Sequence, residues 1–356
     1  MKIFGIFRGF PGLGRVVAGA GILNMLKSRG HEVKAYSYLQ GNAVLAEYGL
    51  DRIIDKKPDK RHIMIIGLNP ISVESGILID KILDENPDLV ILDGEPLLVS
   101  TLAMVFPRTK ILSLLNPTDI ENQSLPMSSL KFYRNHYLSA GCAFVHGLSG
   151  GSYAKIGKNY SCEIFSIRTI LRPNILNYSI SASGTSVVGI LGGGSENASP
   201  EFLNSTVAMG RKIISLASYL PHDNFFIYCN DMKICSILCS NLPDNIKVIG
   251  KYVSPEKIYA NAKVVLCRAG RNTVSELLFL KIPAMLFSTA GDFRSTEQDK
   301  NIDDVCLLSG DLMKKCHIDD SVEYIANQLY SIANELNVNY KFTPGNEKIL
   351  KFIENM

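Results

Sequence analysis

Several features are missing from the 356-residue sequence, and each absence narrows the class of protein. No run of about 18 apolar residues occurs, which argues against a transmembrane helix. The opening "MKIFGIF" reaches Arg8 too soon to form the apolar core of a secretory signal. No dense block of Lys or Arg appears, so the net charge of +3 does not indicate nucleic-acid binding. The sequence therefore predicts a cytoplasmic globular protein.

The eight cysteines show no Cys-x-x-Cys pair. Most lie inside apolar runs, such as Cys229 in "FFIYCN", which favours buried free thiols in a reducing compartment. The sequence also has no Asp-x-Asp motif and no His/Cys cluster at ligand spacing. We therefore expect no bound metal and no resident cofactor.

Short apolar runs alternate with helical segments along the whole chain. The predicted strands are 2–7, 32–36, 62–67, 89–93, 110–115, 142–146, 187–192, 225–229, 246–250, 263–267 and 283–287. The predicted helices are 15–28, 73–86, 96–106, 128–139, 200–219, 231–241, 254–261, 273–280, 319–336 and 344–355. Strands separated by helices are typical of parallel sheets with right-handed crossovers. The fold class is therefore α/β.

The segment 169–186 separates two series of strands. It is rich in Ser and Asn and has no sustained hydrophobic period, as expected of a linker between domains. We predict an N-terminal Rossmann-like domain over 1–168 and a C-terminal one over 187–342, facing a central cleft. A final helix within 343–356 could pack back on the first domain.

Glycines follow the first predicted strand in "RGFPGLGRVV", where Gly12 and Gly14 precede a helix. Unsatisfied N–H groups at such a turn can hold an anionic or hydroxyl ligand. The dinucleotide fingerprint is incomplete, because Val17 stands at its third glycine and no acidic residue ends the next strand, "VKAYSY". A nicotinamide or flavin site is disfavoured, and a tight strand-to-helix turn is the alternative to a ligand site.

A second glycine turn opens the C-terminal half, where Gly192, Gly193 and Gly194 follow a strand and Ser195 comes next. Three consecutive glycines lose much backbone entropy on folding, so a connection that only turns seldom uses them. Close approach of a ligand phosphate is the interpretation that we favour. The turn does not have the Walker A pattern.

The stretch "VVLCRAGRNTVSELLFLKIPAMLF" (264–287) joins two predicted strands through a polar turn and a short helix. Thr273 and Glu276 have the spacing of a capping box, which would account for both residues. The turn also carries residues that a cap does not explain: Arg268, Gly270, Arg271 and Asn272. Because cationic side chains destabilise a helix N-terminus, the two arginines indicate a bound anion.

Polar residues follow the next strand in "GDFRSTEQDKN" (291–301), among them Asp292, Glu297, Gln298 and Asn301. Their carboxylate and amide groups can hydrogen-bond several hydroxyls at once, as binding of a sugar requires. A solvated surface loop is the alternative interpretation.

These residues resemble the donor-site signature of nucleotide-sugar-dependent glycosyltransferases with the B-type, two-Rossmann fold. The sequence is most similar to the peptidoglycan UDP-N-acetylglucosamine transferases and related predicted glycosyltransferases. Supporting matches lie in "GLGR…ILNMLKSRGHEV", "NPDLVILDGEPL", "ILRPNIL", the triple-glycine turn and "IKVIGKYVSPEKIYANAKVVLCRAG". The resemblance implies a nucleotide-sugar substrate and inversion at the anomeric carbon.

The resemblance also implies roles for individual residues. It places them at the donor diphosphate (Arg172, Gly193, Gly194, Ser195), along the phosphate-side turn (Arg268, Gly270, Thr273), at the nucleobase (Tyr252, Val253), at the ribose (Glu276) and at the sugar ring (Gln298). Arg271, Asn272 and Glu297 complete the predicted donor site because of their positions beside these residues.

One position departs from the family pattern. These transferases usually carry a histidine after the first glycine turn, and Arg15 stands at the matching position. A guanidinium stays protonated and cannot act as a general base. Asp93 and Glu95, at the end of a predicted strand, are the candidate replacements, with a helix N-cap as their alternative role. Arg15 would then bind an acidic acceptor or the donor phosphate.

The hypothesis is a metal-independent, inverting glycosyltransferase that moves a sugar from a nucleoside diphosphate, with UDP favoured, to a hydroxyl acceptor near Gly12 and Gly14. Two alternatives are a nucleotide-sugar hydrolase or 2-epimerase on the same fold, and a non-catalytic nucleotide-sugar-binding partner protein. The segment "SSLKFYRNHYL" (128–138) could contact the inner face of a membrane that carries a lipid-linked acceptor. An ordinary amphipathic surface helix is the other interpretation.

Overall fold

The structure is a computed structural model, and it describes residues 1–9, 12–54, 73–122, 125–151, 153–179, 184–192, 200–288, 295–334 and 340–356. The chain divides into two compact units, one of Met1–Pro173 with Pro344–Met356 and one of Asn174–Thr343. The boundary falls within the predicted linker. The predicted strand 62–67 and the predicted diphosphate contacts Gly193, Gly194 and Ser195 lie outside the described residues.

The described part of the first unit contains a seven-stranded parallel sheet in the order β3-β2-β1-β4-β5-β6-β7. The strands are β1 (Lys2–Phe7), β2 (Glu32–Tyr36), β3 (Asp51–Arg52), β4 (Leu89–Asp93), β5 (Ile111–Leu115), β6 (Cys142–Gly147) and β7 (Glu163–Arg168). The chain first extends the sheet to one side of β1 and then to the other side through β4. This reversal of strand order is a topological switch point, where ligands of open α/β sheets bind.

Helices accompany these strands. They are α1 (Gly14–Ser28), α2 (Gly41–Glu47), α3 (Val73–Glu85), α4 (Pro96–Val105), α5 (Pro117–Ile120), α6 (Met127–Tyr137), α7 (Ala154–Gly157) and α15 (Asn346–Glu354), with a 3₁₀ turn at Arg108–Lys110. The short helix α8 (Pro173–Leu176) begins at the last residue of this segment and continues into the second unit. β4 and β5 are apolar along nearly their whole length and buried at every residue, as expected of central parallel strands covered on both faces. Along β1, Ile3 and Phe7 join one hydrophobic cluster, and Phe4 and Ile6 join another.

The last helix, α15, completes the first unit. Its residues Ile349, Leu350 and Ile353 are fully buried in the same cluster as Ile3 and Phe7. Asn346 accepts a hydrogen bond from Leu171 N over 2.9 Å and donates one to Leu171 O over 2.9 Å. Arg29 forms ion pairs with Glu347 and Glu354 on the surface of the helix. The chain therefore returns to the unit in which it began.

The second unit has the same plan. Its described strands form a parallel sheet in the order β10-β9-β8-β11-β12-β13, with β8 (Ser186–Ile190), β9 (Asn224–Tyr228), β10 (Ile246–Ile249), β11 (Ala262–Arg268), β12 (Ala284–Ser288) and β13 (Met313–His317). The helices are α9 (Pro200–Tyr219), α10 (Met232–Leu238), α11 (Pro255–Ala260), α12 (Arg271–Leu280), α13 (Ser295–Ser309) and α14 (Val322–Asn334), with a 3₁₀ turn at Gly310–Leu312. Here the switch point lies between β8 and β11.

The alternative interpretation of 291–301 as a solvated surface loop is wrong from Ser295 onward, because α13 begins there and buries Ile302 and Val305. All eight cysteines are free thiols, and Cys239 is the exposed one. No helix in the described part of the chain is both long enough and apolar enough to span a bilayer.

Candidate functional site

A buried ionic cluster lies at the switch point of the first sheet. Arg15 is in the first turn of α1, which follows β1, and Asp93 ends the adjacent strand β4. Arg15 Nη1 donates to Asp93 Oδ1, and Arg15 Nη2 donates to Asp119 Oδ1 over 2.6 Å. Asp119 belongs to α5, directly after β5. One guanidinium therefore joins two carboxylates at the carboxyl edge of the sheet.

The electrostatics of this cluster favour a fixed ion pair. Desolvation is the largest influence on Arg15 and opposes its charge, but Asp119 and Asp93 raise the pKa of Arg15 well above its usual value. Desolvation is also the largest influence on Asp93, and the charge of Arg15 together with His146 nevertheless lowers the pKa of Asp93. His146 Nε2 lies 3.9 Å from Asp93 Oδ2. A carboxylate held ionised in this way is a weak base. The geometry therefore indicates that Asp93 holds the Arg15 guanidinium in position and does not accept a proton.

Glu95, two residues beyond Asp93, has a different environment. Its side chain is fully buried, and the Tyr38 hydroxyl donates to Glu95 Oε1 over 2.6 Å. Burial raises the pKa of Glu95 to about 7, against the opposing effects of the Tyr38 hydrogen bond and the charge of Arg8. Glu95 precedes α4, but its side chain does not cap that helix. A carboxyl group with a pKa near neutrality has the proton affinity that a general base needs.

The first glycine turn is only partly described. Gly14 begins α1 and Gly12 lies two residues earlier, whereas residues 10 and 11 lie outside the described ranges. A side chain at Gly9 would overlap the backbone oxygen of Tyr38, which explains the glycine at that position. The turn therefore brings the chain close to Tyr38, the partner of Glu95.

The switch point of the second sheet carries the predicted phosphate-side turn. Arg268 ends β11, is buried, and donates from Nη2 to Ser205 Oγ of α9 over 2.6 Å. Gly270 is the N-cap residue of α12, so Arg271 and Asn272 begin that helix. A guanidinium with five N–H donors and the N–H groups of a helix start are both suited to an anion. The geometry therefore fits the anion site that the sequence predicts.

The predicted capping box is wrong. Because α12 begins at Arg271, Thr273 lies inside the first turn, and no side chain caps the helix. Glu276 projects from the middle of the helix and is only 1% exposed. The Tyr259 hydroxyl, from α11, donates to Glu276 Oε2 over 2.7 Å. Glu276 is thus a buried acceptor beside the turn rather than a cap.

The remaining predicted donor residues lie on separate segments. Gln298 is buried on α13, and its Oε1 has no hydrogen-bond partner among the described residues. Glu297, beside it, is half-buried. Asn301 of the same helix donates from Nδ2 to Ala269 O over 2.9 Å and so ties α13 to the Arg268 turn.

Tyr252 and Val253 follow β10, and Tyr252 is exposed. Arg172 follows β7 in the first unit. Gly192, the last described residue before the predicted diphosphate contacts, has a φ of 80°, a left-handed conformation that favours glycine.

Some residues of these clusters were not expected from the sequence. Asp119 carried a signal, since it follows a strand in "LLNPTDI" and forms a true capping box with Asn116. His146 carried a weaker one, as a polar residue near the end of the apolar strand "CAFVHG". No sequence pattern marks Tyr259 as a site residue, because it looks like an ordinary core residue of a short helix.

No three His, Cys, Asp or Glu residues of the described ranges are grouped to hold a metal ion.

Part of the chain, including the Arg268 turn, matches a known protein family. Residues 190–352 match the family described as the glycosyltransferase family 28 C-terminal domain, a range that includes Arg268, Glu276 and Gln298. No curated protein matches the sequence significantly.

Solved structures share the fold along the whole chain. MurG of Acinetobacter baumannii is 13% identical with a TM-score of 0.58, covering 100% of this chain and 99% of its own. The glycosyltransferase SnogD from Streptomyces nogalater is 16% identical with a TM-score of 0.60, covering 100% of both chains. A UDP-GlcNAc 2-epimerase from Neisseria meningitidis, bound to UDP-GlcNAc, is 15% identical with a TM-score of 0.61, again covering 100% of both chains.

The predicted fold of two Rossmann-like parallel-sheet domains is confirmed by the two sheets and by these shared folds. The family match confirms the predicted resemblance to nucleotide-sugar-dependent glycosyltransferases of the B-type fold. The match of residues 190–352 to a glycosyltransferase domain supports the predicted enzyme class, a glycosyltransferase.

Proposed function

We propose that the protein transfers a sugar from a nucleoside diphosphate donor to a hydroxyl acceptor, with inversion at the anomeric carbon and without a metal. The observation that carries the proposal is the turn at the second switch point, where Arg268 and Glu276 lie on either side of the start of α12. This turn falls within the residues that match the family 28 domain. A diphosphate would lie against the cation, and ribose hydroxyls would reach the carboxylate.

The proposed chemistry places negative charge on the departing phosphate oxygen as the sugar is transferred. Arg268 and the N–H groups at the start of α12 are fixed in place before reaction, and preorganised donors of this kind stabilise a developing anion. Arg172, Gly193, Gly194 and Ser195 remain proposed diphosphate contacts. Tyr252 and Val253 remain proposed contacts of the nucleobase.

We propose Glu95 as the base that removes the acceptor proton. Its pKa of about 7 lets it accept a proton at neutral pH, whereas Arg15 keeps Asp93 ionised and weakly basic. A general base typically contributes about 100- to 10,000-fold to the rate. Arg15 and Asp93 then form a fixed ion pair at the carboxyl edge of the first sheet, where Asp93 is close in the chain to Glu95.

A UDP-sugar is the favoured donor. The structural relative from Neisseria meningitidis contains UDP-GlcNAc and shares the fold along the whole chain, which supports UDP as the first donor to test. The same relative is a 2-epimerase, so a nucleotide-sugar 2-epimerase or hydrolase is the second candidate function. The arginine in place of the histidine usual in the transferases favours keeping this candidate.

Incubation of the purified protein with UDP-GlcNAc separates these functions. Without an acceptor, release of UDP indicates hydrolysis, and a change in the sugar indicates epimerisation. Release of UDP only after a hydroxyl acceptor is added supports transfer. Tight binding without turnover supports a nucleotide-sugar-binding partner protein. Absence of UDP binding would contradict the proposed donor.

We also propose that α6 contacts the membrane that carries the acceptor. The helix exposes Met127, Phe132 and Tyr133, and Lys131 beside them is exposed as well. Apolar and basic side chains together are typical of helices that lie at an anionic lipid surface. Co-sedimentation with anionic lipid vesicles, compared with neutral ones, tests this contact. Equal recovery in the supernatant with both kinds of vesicle would contradict it.

A further inference from the structure

The hydrogen bond between Tyr259 and Glu276 joins two buried side chains on helices that flank β11. α11 leads into β11, and β11 leads into α12, so both groups are attached directly to the strand that ends in Arg268. Tyr259 is 3% exposed, and its hydroxyl lies 2.7 Å from Glu276 Oε2. A hydrogen bond in such a water-poor place is stronger than one at the surface and restricts the rotation of the carboxylate.

We infer that Tyr259 is a positioning residue that holds the Glu276 carboxylate in the orientation in which it accepts hydrogen bonds from ribose hydroxyls. This inference rests on the proposed donor site. A carboxylate offers about four acceptor positions, and Tyr259 occupies one of them. A carboxylate that is already oriented loses less conformational freedom when a nucleotide binds, so the affinity for a ribose is higher.

The alternative is that Tyr259 only stabilises the fold. A second tyrosine of the chain provides a matched control that separates this alternative from the inference. Tyr340 is a second tyrosine bonded to α12, since its hydroxyl donates to Leu278 O over 2.6 Å. Tyr259→Phe and Tyr340→Phe each remove one hydroxyl hydrogen bond from the same helix. Only the first of them changes a partner of Glu276.

The test compares the affinities for UDP and for 2′-deoxy-UDP by titration calorimetry. The unaltered protein should prefer UDP. Tyr259→Phe should weaken UDP binding by about three- to tenfold, the effect of one hydrogen bond. It should weaken 2′-deoxy-UDP binding less, because that ligand lacks one of the two ribose hydroxyls from which the carboxylate would accept. Tyr340→Phe should retain the preference for UDP, even if thermal unfolding shows that it is as destabilised as Tyr259→Phe.

Glu276→Gln is the second variant, and it serves if Tyr259→Phe does not fold. The single amide oxygen can still accept from Tyr259, but the amide NH₂ group donates and cannot accept from a ribose hydroxyl, so the preference for UDP should fall. In a double-mutant cycle, the two changes should not add, because both act on the same hydroxyl contact.

Three results would overturn the inference: equal binding of UDP and 2′-deoxy-UDP by the unaltered protein, an unchanged preference in Tyr259→Phe, or an unchanged preference in Glu276→Gln. Failure of the unaltered protein to bind UDP at all would instead contradict the proposed donor site itself.

Discussion

Replacement of Arg15 by methionine tests whether the ionic cluster of the first unit is held together by its one shared cation. Methionine keeps much of the side-chain length, but Asp93 stays fully buried and loses the guanidinium that keeps it ionised. Asp119 is less affected, because it reaches solvent and still accepts from Asn116 N. Removing one partner of a buried pair costs about 3 to 5 kcal/mol, so we expect the free energy of unfolding of the first unit to fall by about that amount at neutral pH.

The pH dependence of this loss has a definite sign. In the unaltered protein the folded pKa of Asp93 is lowered, so its stabilisation is present above the unfolded pKa and is lost as the pH falls through the folded pKa. Without Arg15, burial dominates and raises the folded pKa of Asp93 above the unfolded value of about 3.9. The variant is then destabilised at neutral pH and recovers as the pH falls toward that value. The difference in stability between the two proteins should therefore shrink on acidification.

The assay must report on the first unit alone. Native-state hydrogen exchange of the amides in β1 and β4, measured with increasing urea, gives the unfolding free energy of that sheet. The double variant Arg15→Met/Asp93→Asn is the matched control, since it removes the uncompensated charge and should recover most of the loss. A loss below about 1 kcal/mol at neutral pH, or one that the double variant does not reduce, would refute the reasoning.

Further changes test the proposed chemistry. Glu95→Gln should lower turnover by about 100-fold or more with donor affinity unchanged by calorimetry, and a retained rate would exclude Glu95 as the base. In the unaltered protein, turnover should rise with ionisation of Glu95 around pH 7, and Tyr38→Phe should move that rise to higher pH, because the lost hydrogen bond favours the ionised form. Arg268→Met should weaken UDP binding by roughly 10- to 100-fold, the effect of a charge-assisted hydrogen bond. Ser205→Ala, which keeps the guanidinium, is its control, and equal losses in the two variants would contradict direct contact of Arg268 with the diphosphate.

The sheets could be predicted from sequence because their central strands have a recognisable apolar pattern. "LVILD" and "VVLCR" are continuous apolar runs that end in a charged residue, and such runs are typical of the central strands of parallel sheets, which are buried on both faces. The charged residue then falls at the carboxyl edge, which is why Asp93 and Arg268 were expected at ligand-binding positions. The edge strands β3 and β13 are short or polar and carry no comparable signal.

The contacts that define the sites could not be predicted in this way. Tyr38 and Glu95 lie 57 residues apart, and Arg15 and Asp119 lie 104 apart, so each pair exists only after the sheet has assembled. Helix α13 was missed because its sequence, "STEQDKNIDDVCLLS", is mostly polar and has too few apolar positions to show a helical period. The capping box was wrong because α12 starts at Arg271, two residues before Thr273.

The position of α15 has a consequence for the order in which the protein can fold during synthesis. The side chains of Ile349, Leu350 and Ile353 fill the interior around β1, yet the ribosome makes them after the whole of the second unit. During synthesis, part of the apolar interior of the first unit therefore stays exposed to water until α15 has been made. The second unit lacks no later segment, so it can fold before the first unit is fully packed. A chain interrupted near residue 343 would leave that apolar surface open for chaperones or for aggregation.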